Sequence, residues 1–462
     1  METKTARHFG TKNYLVVASM LFGLFFGAGN LIFPLHLGQL AGSHWGVAAL
    51  GFLVTAVVLP LLAVLAIALT HAEGVYDIGK PLGGWFALTF MVLIHATIGP
   101  LFGTPRTATV PFTVGVAPML SKNMQHVGLL VFSALFFLAA FLFSYKESKI
   151  TDAIGKMLNP LFLGLLAVVF FIGFLNPMGS ASVQTATAAY KSAGFMNGFL
   201  QGYNTMDALA GLAFGVTVVT AVRGFGLKRD SDVATVTAKS GVLAIALIGV
   251  VYVGLILLGA MSLGKFKVSA DGGVAFNQIV SNYLGAAGHA FLAVLITVTC
   301  LTTAIGLIAA FAQDFHKHFS LVSYKQWLAL MSFASFATAN FGLDTIIQWS
   351  TPMLMFLYPF CMVLILLSVT GRFFNYDRVV YGFVVGFTTL PALMDMVGSF
   401  PPVVSASAFG KAVVAFQQSY LPFASMGLSW LVPAVVGLVL GLGVHFYKQH
   451  AGANMTAPAT DD

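Results

Sequence analysis

The chain has 462 residues, of which 58% are hydrophobic and only 8% charged, and its mean hydropathy is +0.91. That balance excludes a water-soluble globular protein and defines a polytopic membrane protein. The formal net charge of +7 carries no nucleic-acid signal, because the basic residues sort by membrane side rather than into a patch.

A crossing needs roughly 20 apolar residues, and the sequence offers twelve predicted spans, at 14–37, 45–69, 85–116, 127–145, 153–175, 194–222, 237–263, 288–315, 326–341, 346–370, 379–397 and 422–447. The reading is a single all-α transport domain over 1–448, with repeat one about 14–175, repeat two about 194–370, two extra helices about 379–447, and a disordered tail at 449–462. Lys4, Arg7 and Lys12 lead straight into a full-length apolar segment, so the start is expected to be uncleaved. The connectors on that side add Lys80, Lys146, Lys149, Lys156, Arg223, Lys228, Arg229, Lys239, Lys317, Lys325, Arg372, Arg378 and Lys448. The other side has only Lys122, Lys191, Lys265, Lys267 and Lys411, which predicts that both termini are cytoplasmic. Cys300 and Cys361 lie inside apolar segments and imply neither a disulfide framework nor a thiolate metal site.

The first span contains Leu21-Phe22-Gly23-Leu24-Phe25-Phe26-Gly27-Ala28-Gly29-Asn30-Leu31-Ile32-Phe33-Pro34. Glycines, an uncompensated Asn and a Pro weaken a helix where lipid requires every backbone group to be paired internally. The helix is therefore expected to break here. A half-helix starting at Ala28, Gly29 and Asn30 would offer N–H groups to an anion such as a carboxylate. The half ending near Phe26 would offer carbonyls to an ammonium group or a small cation. The competing reading is a glycine groove for helix packing, which leaves Asn30 and Pro34 unexplained.

The third span is overlong and carries Pro100, Pro105 and Pro111, predicting tilt and kinks. The sixth places Gln201-Gly202-Tyr203-Asn204-Thr205-Met206-Asp207 between apolar halves, predicting a second broken helix with free carbonyls near Gln201 and Gly202. Breaks in spans one and six occupy corresponding positions of a five-plus-five inverted repeat, although the halves share no residue-level identity. In the eighth span, Thr299, Thr302 and Thr303 fall on one helical face. Neutral oxygen ligands of that kind suit a hard monovalent cation such as sodium, but membrane hydroxyls also bond their own preceding carbonyls.

The intramembrane ionisable groups are His95, Arg106, Asp207 and Asp395. Arg106 and Asp207 could neutralise one another, or Asp207 could face a substrate amine. His95 reads as a hydrogen-bonded core histidine, and Asp395, near the end of its span, as solvated. A protease would use Asp207 and Asp395 as paired acids, but no Gly-x-Gly-Asp motif precedes either. A passive channel fits broken helices with apolar flanks less well than an occluded site does.

Four stretches resemble the bacterial branched-chain amino acid:cation symporter family: Phe25-Phe26-Gly27-Ala28-Gly29-Asn30-Leu31-Ile32-Phe33-Pro34, Gly99-Pro100 with Pro105-Arg106-Thr107-Ala108, Gly202-Tyr203 with Thr205-Met206-Asp207-Ala208-Leu209, and Cys300-Leu301-Thr302-Thr303-Ala304-Ile305-Gly306-Leu307. The resemblance implies the five-plus-five inverted-repeat fold of amino acid-polyamine-cation-type transporters, in a bacterial inner membrane. It implies a non-enzymatic symporter that imports Leu, Ile and Val with Na+ as coupling ion, H+ being the alternative with Asp207 as carrier. Neither an organic cofactor nor an obligate protein partner is implied; the partners are the amino acid and the bilayer. It further implies that Ala28, Gly29 and Asn30 receive the substrate carboxylate, that Gly202, Tyr203, Asn204, Thr205 and Asp207 form the opposite wall, and that carbonyls of Gly23 and Phe26 with Thr299, Thr302 and Thr303 hold Na+. The chain departs from the family at Leu35, where a second Pro is usual, and at Thr113, where an acid is usual; without that acid Arg106 has fewer partners.

Overall fold

A computed structural model describes residues 9–150 and 152–450; Lys4, Arg7 and the tail from 451 onward lie outside the described residues. The described chain is helical, with no strand among its elements, as a bilayer requires of a chain that must satisfy its backbone segment by segment. The twelve predicted spans fall on helix, the last only from Leu431 rather than from 422. By length and apolarity nine stretches among the described residues can cross a membrane, or ten with a bent pair in the sixth span. The remaining two are the first span, whose halves Thr11–Phe25 and Ala28–Ala41 are each short, and the ninth, Tyr324–Ala339.

Span two runs through Trp45–Leu53 and Leu59–Thr70 with a π turn at Val54–Val58 between them. Span three is kinked as its prolines predict: Gly84–Ala96 ends in a π turn at Thr97–Leu101, where Gly99 is non-helical, and Gly103–Pro111 resumes beyond it. The fourth and fifth spans are Gln125–Ser144 and Asn159–Leu175. The seventh and eighth are Asp230–Ser262 and Ala286–His318, the tenth and eleventh Leu343–Thr370 and Arg378–Ser399, and the last Leu431–His450. Gln449 and His450 thus continue the last helix, where the sequence reading began the tail. Two amphipathic helices in connectors, Gly272–Leu284 and Ala408–Tyr420, are additions; the first is capped by Asp271, whose carboxylate accepts the Val274 N–H at 2.9 Å.

The most apolar windows of spans eight and ten are 67% buried and that of the last helix only 22%, which puts the former inside the bundle and the latter at its lipid face. Spans one and seven cross through glycine: a Cβ on Gly38 would lie 2.0 Å from the Ile256 carbonyl oxygen, and one on Gly259 the same distance from that of Leu35. At one end of the bundle, Arg223 reaches Glu73 at 3.2 Å and Asp230 at 2.8 Å, while Lys317 reaches Glu73 at 2.6 Å. The ends of spans two, six and eight and the start of span seven therefore share one face.

Candidate functional site

The first span breaks where its sequence predicts. The helix stops at Phe25; Gly27, at φ −106° and ψ −163°, is extended, and a new helix begins at Ala28. Those angles are open to any residue, so what favours glycine is space: a Cβ there would lie 3.0 Å from Thr303 Oγ1, a tight contact. Asn30 turns its Oδ1 back to accept the Gly27 N–H at 3.1 Å, capping the half-helix. The next N–H groups, in its first turn, have no intrahelical acceptor.

The sixth span breaks between Ala188–Tyr203 and Asp207–Ala213, with Met206 in the left-handed region at φ +62°. The carbonyls expected to be free here are not. The turn folds back on them, so that the N–H groups of Asn204 and Thr205 donate to Gln201 and Gly202 at 3.1 and 3.3 Å. Thr205 Oγ1 donates to Gly202 as well, and the Tyr358 hydroxyl to Tyr203, at 2.8 and 2.7 Å.

The two breaks meet. Asn30 Nδ2 donates to both oxygens of Asp207, at 2.9 and 2.8 Å, and the Tyr252 hydroxyl of span seven donates to Asp207 Oδ2 at 2.6 Å. Asn30 and Tyr252 are themselves in contact. Asp207 therefore does not pair with Arg106, because neutral donors on the neighbouring spans already surround its carboxylate. Arg106 lies instead over the Phe33 ring, 5.2 Å from its centroid, with Asn204 O 3.4 Å from one guanidinium nitrogen.

Between the breaks is a small cavity of about 50 Å³. Gly29, Asn30, Asn204, Thr205 and Asp207, from the expected substrate residues, line it, as do Thr303, expected among the Na+ ligands, and Arg106, Thr107 and Met206. Leu24, Phe25, Ile98, Ala210 and Leu307 form its apolar part; no pattern in the sequence marked those side chains, which read as ordinary span residues. Gly202 and Tyr203 do not line it. Gly202 is pressed against span two, with Thr55 Oγ1 1.9 Å from where its Cβ would be, and Tyr203 stacks on Tyr358 at 4.1 Å.

Beside the cavity, Thr303 Oγ1 donates to the Gly23 carbonyl at 3.3 Å and Thr302 Oγ1 to Thr299 O at 2.7 Å. The Gly23 carbonyl belongs to the last turn of the first half-helix, whose acceptors lack helical donors, and Phe26 caps that end. Thr299 Oγ1 and Asn159 Oδ1 are buried without a hydrogen-bond partner. Asn159, from span five, is close by: a Cβ on Gly23 would lie 3.4 Å from Asn159 Cβ and 3.5 Å from Thr302 Cβ. The sequence reading placed Asn159 inside the fifth span, beside Pro160, and did not mark it.

His95 is a paired core histidine, 2.7 Å from Asp314 with both side chains buried. Asp314, close to the end of span eight, was not expected in the interior. Asp395 is not solvated; it is buried and accepts from Gln417 and from Ser429, the latter at 2.7 Å. The partners of Asp207 and Asp395 are wholly separate, so the two are not an acid dyad.

A helical bundle in which two membrane helices break against one another around a single polar-ended cavity has the architecture of a secondary transporter. Solved structures share the fold. Mhp1, described as a nucleobase-cation-symport-1 family transporter in a closed conformation with bromovinylhydantoin bound, superposes with a TM-score of 0.56 at 11% identity, covering 96% of this chain and 94% of that one. MhsT in complex with L-phenylalanine gives 0.53 at 14% identity, covering 96% and 99%. The chain belongs to the branched-chain amino acid transport protein family, whose profile matches residues 10–448. It is similar to the branched-chain amino acid permease BrnQ of Lactobacillus delbrueckii subsp. lactis, 41% identical over 91% of this chain and 94% of that one. BraB of Bacillus subtilis and BrnQ of Escherichia coli K12, also called branched-chain amino acid permeases, are 37% and 35% identical over 93% and 97% of this chain.

Proposed function

We propose that the protein imports leucine, isoleucine and valine by alternating access, with Na+ as the coupling ion, and that the amino acid occupies the cavity between the broken helices. The observation that carries this reading is the meeting of the two breaks at Asn30 and Asp207, on a cavity with one polar end and one apolar end. The first-turn N–H groups of Ala28, Gly29 and Asn30 suit the substrate's carboxylate end, and the wall from Asn204 to Asp207 suits its ammonium end. Leu24, Phe25, Ile98, Ala210 and Leu307 suit a branched aliphatic side chain. One methylene in such a pocket is worth roughly 1–3 kcal/mol, so the three substrates compete and alanine binds weakly.

For Na+, the ligand set is the Gly23 and Phe26 carbonyls with Thr299, Thr302 and Thr303, and the unpartnered Asn159 Oδ1 lies next to it. A cation moving through about 100 mV contributes about 2.3 kcal/mol, enough for roughly 50-fold accumulation at tenfold per 1.4 kcal/mol. The inverted repeat of spans one to five and six to ten, with both termini in the cytoplasm, completes the proposal. Proton coupling is the second reading, favoured by the burial of the Asp207 carboxylate at the cavity wall.

The test is counterflow of radiolabelled leucine in proteoliposomes with Na+ replaced by K+ or by a pH gradient. Stimulation by Na+ alone is expected; equal counterflow in all three media would remove sodium from the mechanism.

A further inference from the structure

We propose that Arg106 is the receptor for the substrate's carboxylate, an inference that rests on the amino acid reading above. Arg106 stands on the helix Gly103–Pro111 that follows the kink of span three and is only 6% exposed. A guanidinium offers five N–H donors in a rigid fork. Here its polar contacts are two: Nη2 donates to Asn204 O at 3.4 Å, and Nη1 faces Met206 Sδ at 3.9 Å. Among the described residues no carboxylate lies within ion-pair distance of it. A buried cation so poorly partnered is costly unless something in the working cycle completes it.

The cavity is where that completion occurs. Arg106 and Asp207 both line it, opposite charges that do not bond to one another. Asp207 is held by Asn30, itself a lining residue, and by Tyr252. A zwitterion between them meets a cation with its carboxylate and an anion with its ammonium. The first turn of the half-helix converges on the same place, since a Cβ on Gly29 would lie 3.4 Å from Asn204 O, the atom to which Arg106 donates. Phe33, whose ring centroid is 5.2 Å from the Arg106 guanidinium carbon, adds a cation–π contact to the charge, and the fork itself suits two parallel bonds to a carboxylate.

The test compares leucine with leucinamide, which keeps the ammonium group and side chain but lacks the carboxylate, in competition binding to the purified full chain. Wild type is expected to prefer leucine at least tenfold, because the amide leaves Arg106 unpaired. Arg106→Met should reduce that preference to about threefold or less, and Arg106→Lys, a point charge without the fork, should give an intermediate ratio. An unchanged ratio in a monodisperse Arg106→Met protein overturns the proposal even if both affinities fall. Should that variant not fold, an unchanged ratio in Arg106→Lys does the same. A wild type that binds no branched-chain amino acid overturns the functional reading itself, and this inference with it.

Discussion

Asn30 donates one amide nitrogen to both carboxylate oxygens of Asp207, at 2.9 and 2.8 Å, across 177 positions of sequence. With its other end Asn30 caps the half-helix of span one, so a single side chain fixes both helix breaks. Truncation to Ala leaves a buried carboxylate short of two hydrogen bonds and an N–H short of its cap. Each such loss costs about 1–3 kcal/mol. Asn30→Ala should therefore lower leucine uptake tenfold or more and lower the melting temperature in detergent. Asp207→Asn keeps the volume and loses the charge; in a proton carrier it would abolish pH-driven uptake, whereas in a Na+-coupled protein it weakens leucine binding and leaves the Na+ requirement in place. Uptake at wild-type rate in either variant would contradict the arrangement.

How far this site was legible in the sequence follows from the kind of signal involved. The breaks were legible because Gly27, Asn30 and the run from Gly202 to Asp207 violate what lipid demands of a helix, and that violation is local. Partner choice is not local. Whether Asp207 bonds Asn30 and Tyr252 or Arg106 depends on how four spans pack, and helix periodicity says nothing about that. Asp395 and Asp314 misled for a related reason, since a residue near a span end is exposed only if no other segment covers it. Gln417, on a connector helix the sequence did not reveal, covers Asp395. Gly202 belongs to the right stretch but to the wrong face, because its hydrogen is turned against Thr55.

Thr303 joins the cavity to the proposed cation ligands, lining the one and donating to Gly23 O at 3.3 Å in the other. Thr303→Val preserves shape and removes the oxygen. Sodium-stimulated leucine uptake should be lost with expression intact, and Thr303→Ser should retain it. Unaltered sodium stimulation in the Val variant would dismiss this ligand set.

Asn159 Oδ1 and Thr299 Oγ1 are buried, lack partners and lie on the two helices that flank Gly23. Unpaired buried oxygens cost stability unless they acquire a partner during function. If that partner is Na+, Asn159→Ala should raise the Na+ concentration for half-maximal uptake about tenfold while changing leucine affinity at saturating Na+ less than twofold. A loss of leucine affinity independent of Na+ would make Asn159 a packing residue.

Gly38 tests the packing on which the breaks depend. A Cβ there would meet the Ile256 carbonyl at 2.0 Å, a backbone atom that cannot move aside, whereas one on Gly164 meets nothing within 4 Å. Gly38→Ala should separate spans one and seven, cost about 1–3 kcal/mol as overpacking does, and lower both the melting temperature and the uptake. Gly164→Ala should do neither. Equal melting temperatures for the two variants would mean that this crossing is looser than its geometry implies.

The ion cluster at the end of spans two, six, seven and eight makes a prediction in pH. The Lys317 ammonium, hydrogen-bonded to Glu73, holds the Glu73 carboxyl below the usual range, with Arg223 assisting and partial burial opposing. A depressed folded value means that the stabilisation is full above the unfolded value of about 4.3 and is lost as pH falls through the lower folded one. Glu73 is partly exposed, so water screens the pair and the effect is small. Glu73→Gln should lower the melting temperature slightly between pH 5 and 8, and the difference should shrink as pH falls below the unfolded value and the wild-type group takes up its proton. Melting curves of the two proteins that stay parallel from pH 3 to pH 8 would show that the cluster does not hold this face of the bundle together.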